Sequence, residues 1–274
     1  MSITAPDFDY IQRLVRAQAG LVLEPGKEYL AESRLLPAAR KEGLNSIEDL
    51  VARLRSRPID GLHRRVVEAM TINETSFFRD FHPFELLRKF VLPDLVRRRE
   101  AEQSLVIWCA AASSGQEPYT VAMLLREHFS SLLSWRLRII ASDLSEEILA
   151  RARQGRYSQL EVNRGLPASY LVKYFTKQGS EWQLKDEVRR MVEFQGINLT
   201  APWPPLPIMD IIFMRNVLIY FEVDNKKLIL SRVRRLLRDD GTLFLGGAET
   251  TLNLDDSFAR SELERSGCYH LRSL

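Results

Sequence analysis

The chain has 274 residues, 45% of them hydrophobic, and 39 Lys and Arg against 36 Asp and Glu give a net charge of +3. That length holds one large domain with a smaller appendage, and a charge so near neutrality gives little electrostatic ground for binding nucleic acid. No apolar run approaches the roughly 18–20 residues of a membrane span, the start MSITAPDFDY lacks a secretion-signal layout, and Cys109 and Cys268 stand far apart with no CxxC. The expectation is a soluble, cytoplasmic protein with neither a metal site nor a disulfide framework, and with Cys109 as a small core residue.

Residues 1–70 read as wholly helical. Phe8, Ile11, Leu14 and Val15 recur at helical spacing. A loop follows at Leu23–Gly26, then an amphipathic stretch over Tyr29–Lys41 in which Pro37 predicts a kink. Asn45-Ser46 ahead of Ile47–Leu54, with Glu48 and Asp49 in the first turn, is a capped helix start, and Pro58 stops that helix. Residues 71–104 read as a linker, with Phe81–Arg99 helical and interrupted at Pro93.

The pattern changes at LVIWCAAASSGQEPY (105–119). An apolar strand, Leu105–Cys109, breaks into a loop of small residues, Ala110–Gly115, and an apolar helical pattern begins behind Pro118. A strand that turns through small residues into a helix opens a nucleotide-type binding fold. Ala, Ser and Gly carry little bulk, so backbone can approach a ligand closely. The next strand, Leu137–Ser142, ends on Asp143, a carboxylate placed to accept hydrogen bonds from a ribose diol. Strands at Asp210–Met214 and Thr242–Gly246 flank a helix over Val223–Leu237. This alternation is that of an α/β fold with a parallel sheet covered on both faces. It is broken between Arg156 and Val188, so 156–195 is expected to be an inserted subdomain, with a short hairpin about Gly179-Ser180.

Plain structural roles compete with functional ones at several positions. Glu117 and Asp143 could each cap the helix that follows. Arg79 could be an exposed linker arginine, Asn73 and Thr75 turn formers, and Tyr220 a core aromatic. His63, His82, His128 and His270 have no spacing that suggests a ligand or a base. The N-terminal block also concentrates Arg34, Arg40, Lys41, Arg53, Arg55, Arg57, Arg64 and Arg65. Arg53 and Arg57 share a helix face, which is either solvated or docks an acidic partner.

Four segments taken together resemble one family: TINETSFFRD (71–80), WCAAASSGQEPY (108–119), ASDLSEEILARARQGRYS (141–158) and DIIFMRNVLIYF (210–221). They are similar to the CheR-type methyltransferases, which methylate glutamate side chains of bacterial chemoreceptors using S-adenosylmethionine. The order and spacing of the segments, over nearly the whole chain, make the likeness specific. It implies a helical domain over 1–70, a cofactor-covering linker over 71–104, and a class I, Rossmann-like methyltransferase domain over 105–274. That domain has a mainly parallel sheet and a small inserted β subdomain. The small-residue loop, with Gly115 its only glycine, departs from general class I methyltransferases and is shared by the CheR-like group. The hairpin turn Lys177–Glu181 is short beside members that grip a receptor-tail peptide.

The resemblance also implies roles. Asn73, Thr75 and Arg79 cover the cofactor, Glu117 faces its ammonium end, and Asp143 faces its ribose. Asn198 and Leu199, with Arg215, Asn216 and Val217 after the fourth core strand, belong to the adenine side and its surroundings. Arg79 and Tyr220 are the candidates for acceptor positioning and catalysis, and Arg34, Arg40, Arg53 and Arg57 for receptor docking. The implied cofactor is S-adenosylmethionine, released as S-adenosylhomocysteine, with no metal. The implied partners are the cytoplasmic signalling domain of chemoreceptors and a regulatory adaptor protein at the linker, with no nucleic acid and no membrane insertion; a monomer is expected. A carboxylate acceptor, with an ordinary pKa of roughly 4.3, is already ionised and needs no strong base. Two other readings are a nucleic-acid methyltransferase and a cofactor-binding regulator without turnover. The first lacks an NPPY-type motif where this chain reads RNVLIY, and the second is opposed by the intact Arg79, Asp143 and Asn216.

Overall fold

The computed structural model describes residues 3–261 and 267–272. Helix α1 (Ala5–Ala19) starts where the Thr4 hydroxyl accepts the Asp7 N–H, and it ends on left-handed Gly20. Helix α2 (Glu28–Lys41) runs through Pro37 unbroken: Pro37 lies on the exposed face, while Ala31, Leu35 and Ala39 are buried. Ser46 caps α3 (Ile47–Arg55), and Asp60 caps α4 (Gly61–Ala69) in a reciprocal capping box with His63. The four apolar faces close on one core that includes Phe8, Ile11, Leu35, Leu50, Leu54 and Val66.

The linker continues as α5 (His82–Leu86), one π-helical turn (Leu87–Val91) and α6 (Leu92–Arg99). The expected interruption at Pro93 is absent. Proline sits in the first turn of α6, behind the wider π turn, where its missing N–H breaks no α-helical bond. Arg99, almost fully buried, donates from Nε to Asp210 at 2.8 Å and so ties this helix to the sheet beside it.

Strand β1 (Ser104–Ala110) leads into α7 (Gln116–His128), and β2 (Arg136–Asp143) into α8 (Glu146–Gln154). The insertion follows as β3 (Arg156–Ser158), α9 (Gln159–Asn163), α10 (Ala168–Tyr174), β4 (Phe175–Gln178) and β5 (Glu181–Leu184). Its antiparallel sheet has the order β3-β5-β4, and the hairpin turns at Gly179-Ser180. After α11 (Asp186–Arg189), strand β6 (Val192–Gly196) pairs in parallel with β2. The last residues of the 156–195 segment therefore belong to the main sheet. Their half-exposed side chains gave no apolar run to mark an edge strand.

The chain ends through β7 (Met209–Met214), α12 (Val223–Leu236), β8 (Leu237–Leu245), β9 (Phe258–Arg260) and β10 (Cys268–Leu271). Among the described residues the main sheet has seven strands in the order β6-β2-β1-β7-β8-β10-β9. The first five are mutually parallel and β10 is antiparallel to both its neighbours. Central strands covered on both faces read as unbroken apolar runs, and Ile211, Ile212 and Phe213 are wholly buried. One core layer contains Ile107, Cys109, Tyr119 and Val121; the other contains Trp108, Ile140, Ile212 and Leu230. Strand order reverses between β1 and β7, which opens a crevice at their C-terminal ends.

Candidate active site

A cleft partly open to solvent occupies that crevice. Its walls come from the loops after β1, β2, β6 and β7, from Ala19 and Leu21–Leu23 of the helical domain, and from Met70–Thr75 with Arg79 of the linker. The helical domain forms part of the wall because Leu21 bridges to Phe221 and the Val22 N–H donates to the Tyr220 carbonyl at 2.9 Å.

The linker is pinned by its aromatic pair. Phe77 and Phe78 are buried, and the Phe77 ring meets Tyr157 and Phe175 of the insertion edge-on. The Phe78 N–H donates to Thr120 Oγ1, and the Ser113 hydroxyl donates to the Asn73 carbonyl. With these anchors in the core, Asn73, Thr75 and Arg79 are left at the cleft.

Asp143 is buried at the end of β2, and burial pushes its carboxyl above the ordinary aspartate range against backbone hydrogen bonds that favour the anion. Oδ2 accepts the Ser113 N–H at 2.8 Å and Oδ1 the Ser145 N–H at 3.1 Å. Each oxygen keeps acceptor capacity for a diol. Asp143 is not the cap of α8; Ser145 is. Ala111, Ser113 and Asn216, all on the cleft wall, have φ of 54°, 50° and 58°. Non-glycine residues held in this left-handed region mark strain concentrated at a site.

Glu117 is likewise no helix cap, a position held by Gly115. Its buried carboxylate pairs with Arg215 at 2.8 Å. Burial raises the Glu117 carboxyl above the usual range, against the pull of that guanidinium. Arg215 also donates to Asp80 at 2.7 Å and to the Arg79 carbonyl at 2.9 Å, joining α7, β7 and the linker. Its side chain thus braces the wall. The Asn198 amide donates to the Gln18 carbonyl at 2.7 Å, and its oxygen accepts from Thr200, so it fastens the helical domain to the loop after β6. Ile197, Leu199 and Val217 supply the apolar slot.

Tyr220 closes a 3-10 turn (Leu218–Tyr220) and is half-buried on the cleft wall rather than in the core; burial raises its hydroxyl above the ordinary value. Arg79 is half-exposed and donates to the Glu74 carbonyl at 2.7 Å. No carboxylate among the described residues lies within ion-pair distance of Arg79.

The four arginines expected to dock a receptor separate. Arg40 and Arg57 are exposed; α3 ends at Arg55, so Arg57 lies beyond it and does not share a helix face with Arg53 as the i,i+4 spacing predicts, and it pairs with Asp60. Arg34 and Arg53 are half-buried and donate to backbone carbonyls: Arg34 to Met70 and Thr71, where the helical domain meets the linker, and Arg53 to Glu42. Burial lowers the Arg34 guanidinium below its ordinary value. These two are anchors as well as surface charges. No sequence motif points to Glu249, which lies just past β8 and accepts backbone N–H groups of the loop after β7.

Strand order and the placement of the cleft define a class I methyltransferase. The CheR methyltransferase SAM-binding domain matches residues 73–266 and the CheR methyltransferase all-alpha domain matches residues 6–71. The chain belongs to the CheR methyltransferase family. It is 39% identical over 262 residues to chemotaxis protein methyltransferase Cher2 of Pseudomonas putida, covering 94% of this chain and 95% of that one. It is 40% identical, with the same coverage, to chemotaxis protein methyltransferase 1 of Pseudomonas aeruginosa. Identity to the chemotaxis protein methyltransferase of Escherichia coli is 33%, over 94% of this chain and 89% of that one.

The cofactor is therefore S-adenosylmethionine, and the residues fit it. The carboxylate of Asp143 has unused acceptor capacity, the slot at Leu199 and Val217 is apolar, and Glu117 adds a second buried carboxylate. No His, Cys, Asp and Glu cluster among the described residues could hold a metal ion.

Proposed function

We propose that this enzyme methylates glutamate side chains on the cytoplasmic signalling domain of bacterial chemoreceptors, giving γ-methyl esters during sensory adaptation. The observation that carries the reading is the presence, on the wall of one cleft of a CheR-family chain, of Arg79, which forms no ion pair among the described residues, and of the half-buried Tyr220. When bound, S-adenosylmethionine supplies an electrophilic methyl group for in-line displacement. Arg79 receives the acceptor carboxylate and keeps it ionised where water is partly excluded. The Tyr220 hydroxyl orients the attacking oxygen. No general base is needed, so the residues act by alignment and charge.

Asn73, Thr75 and Arg79 cover the cofactor from the linker, Asp143 holds its ribose, and Glu117 attracts its ammonium. Asn198, Leu199, Arg215, Asn216 and Val217 form or brace the adenine side. Arg34 and Arg40 on α2, Arg53 on α3 and Arg57 just beyond its end give the helical domain a basic surface for a glutamate-rich receptor helix. Both reactants lie in the cytoplasm on this reading, and among the described residues no helix is long and apolar enough to cross a membrane.

Incubation with purified receptor signalling domain and methyl-labelled S-adenosylmethionine, followed by peptide mapping, tests the acceptor. Label on glutamates is expected. Label confined to lysine, arginine or a nucleic acid contradicts the reading.

A further inference from the structure

Glu249 lies outside every motif that marked the site. It is buried, and it sits at the turn after β8 where its own N–H donates to the Gly246 carbonyl at 2.9 Å. Both carboxylate oxygens are filled by backbone donors. Oε2 accepts the Asn216 N–H at 2.7 Å and the Gly246 N–H at 2.6 Å; Oε1 accepts the Val217 N–H at 2.8 Å and the Leu218 N–H at 2.7 Å. Three of the four donors belong to one loop, the loop that carries Asn216, Val217 and Tyr220 to the cleft. Within it Asn216 turns the backbone through the left-handed region, at a φ of 58°.

The cradle is closely fitted. A Cβ on Gly246 would lie 2.7 Å from Glu249 Oε2 and 2.9 Å from the Asn216 nitrogen. Only glycine leaves the carboxylate and the loop this close. We propose that Glu249 is a positioning residue: its anion gathers the N–H groups of 216–218 and thereby fixes the cofactor wall and Tyr220. This rests on reading the cleft as the cofactor and acceptor site.

Glu249→Gln keeps the shape but replaces one oxygen with an NH2 group, which cannot accept and faces two N–H donors. Gly246→Ala displaces the same carboxylate without touching its charge. The test is S-adenosylhomocysteine affinity by calorimetry, with hydrogen exchange over 215–221 and over β7 measured in the same samples. Both variants are expected to bind at least tenfold more weakly, with exchange accelerated in 215–221 and unchanged in β7. Folded variants that bind like the parent protein, or that exchange faster throughout the sheet, overturn the proposal. If the parent binds S-adenosylhomocysteine yet methylates no receptor, the acceptor reading fails and the role of Glu249 is still decided by the binding series.

Discussion

At the scale of single residues, the cleft sets charge against burial. Arg79 donates to the neighbouring Glu74 carbonyl and forms no ion pair among the described residues. Arg79→Ala is expected to leave the melting temperature within about 2 °C, since surface changes rarely exceed about 0.5 kcal/mol. It should lower turnover by roughly a hundredfold, the cost of a misplaced reactant. Near-normal turnover removes Arg79 from the acceptor role. Asp143 and Glu117 make a pH prediction of definite sign. Both carboxyls are raised in the folded chain, mainly by burial. Their contribution to unliganded stability is full below the unfolded values, roughly 3.9 and 4.3, and is lost as pH rises through the folded values. Ligand binding runs the other way, because the ribose and ammonium need the anions. S-adenosylhomocysteine affinity should therefore fall on acidification before ordinary surface carboxylates titrate, and Asp143→Asn should flatten part of that fall. A pH-independent affinity from neutrality down to the ordinary carboxylate range contradicts the assignment. Asp143 and Arg79 were legible in the sequence because strand-end position and motif order expose them. Arg215 was legible by position, but its bracing of Glu117 and Asp80 was not, since those partners lie about a hundred or more residues away in the chain.

At the scale of elements, the inserted subdomain and the linker form one support. Gly165, with φ of 89°, lies against the backbone of Phe77, and a Cβ there would run into the Phe77 carbonyl oxygen. Gly165→Ala is expected to cost roughly 2 kcal/mol or more in urea unfolding, combining left-handed strain with a backbone clash. It should also weaken cofactor binding, because Phe77 anchors the segment that carries Thr75 and Arg79. An unchanged midpoint contradicts this coupling. Most elements were readable from period and caps: Ser46 before α3, the apolar runs of β1 and β7, and the Gly179-Ser180 hairpin. Two departures have physical causes. A π turn absorbed Pro93, which local propensity treats as a break. Strand β6 is an edge strand with a mixed face, so its pairing with β2 is fixed by tertiary contact rather than by pattern.

At the scale of the whole molecule, the helical domain is part of the site. Arg16 pairs with Glu222 at 2.7 Å, Asn198 holds Gln18, and the Ser145 hydroxyl donates to Glu68 at 3.2 Å. These links surround a cleft to which both domains contribute walls, so a ligand there stabilises both. Saturation at a hundredfold excess over Kd adds about 2.7 kcal/mol, or roughly 5–10 °C in melting temperature for a chain of this size. One transition moving as a unit is expected. Two transitions, with only the later one shifted by S-adenosylhomocysteine, contradict a shared site.

The proposed acceptor is a carboxylate. Methyl esters of carboxylates are released by mild base, whereas N-methyl groups are not. The most direct measurement is the base lability of labelled methyl transferred from S-adenosylmethionine to a purified chemoreceptor signalling domain. Label that mild base releases, and that disappears when the receptor's glutamates are replaced by alanine, is expected. Base-stable label, or label that survives loss of those glutamates, contradicts a carboxylate acceptor.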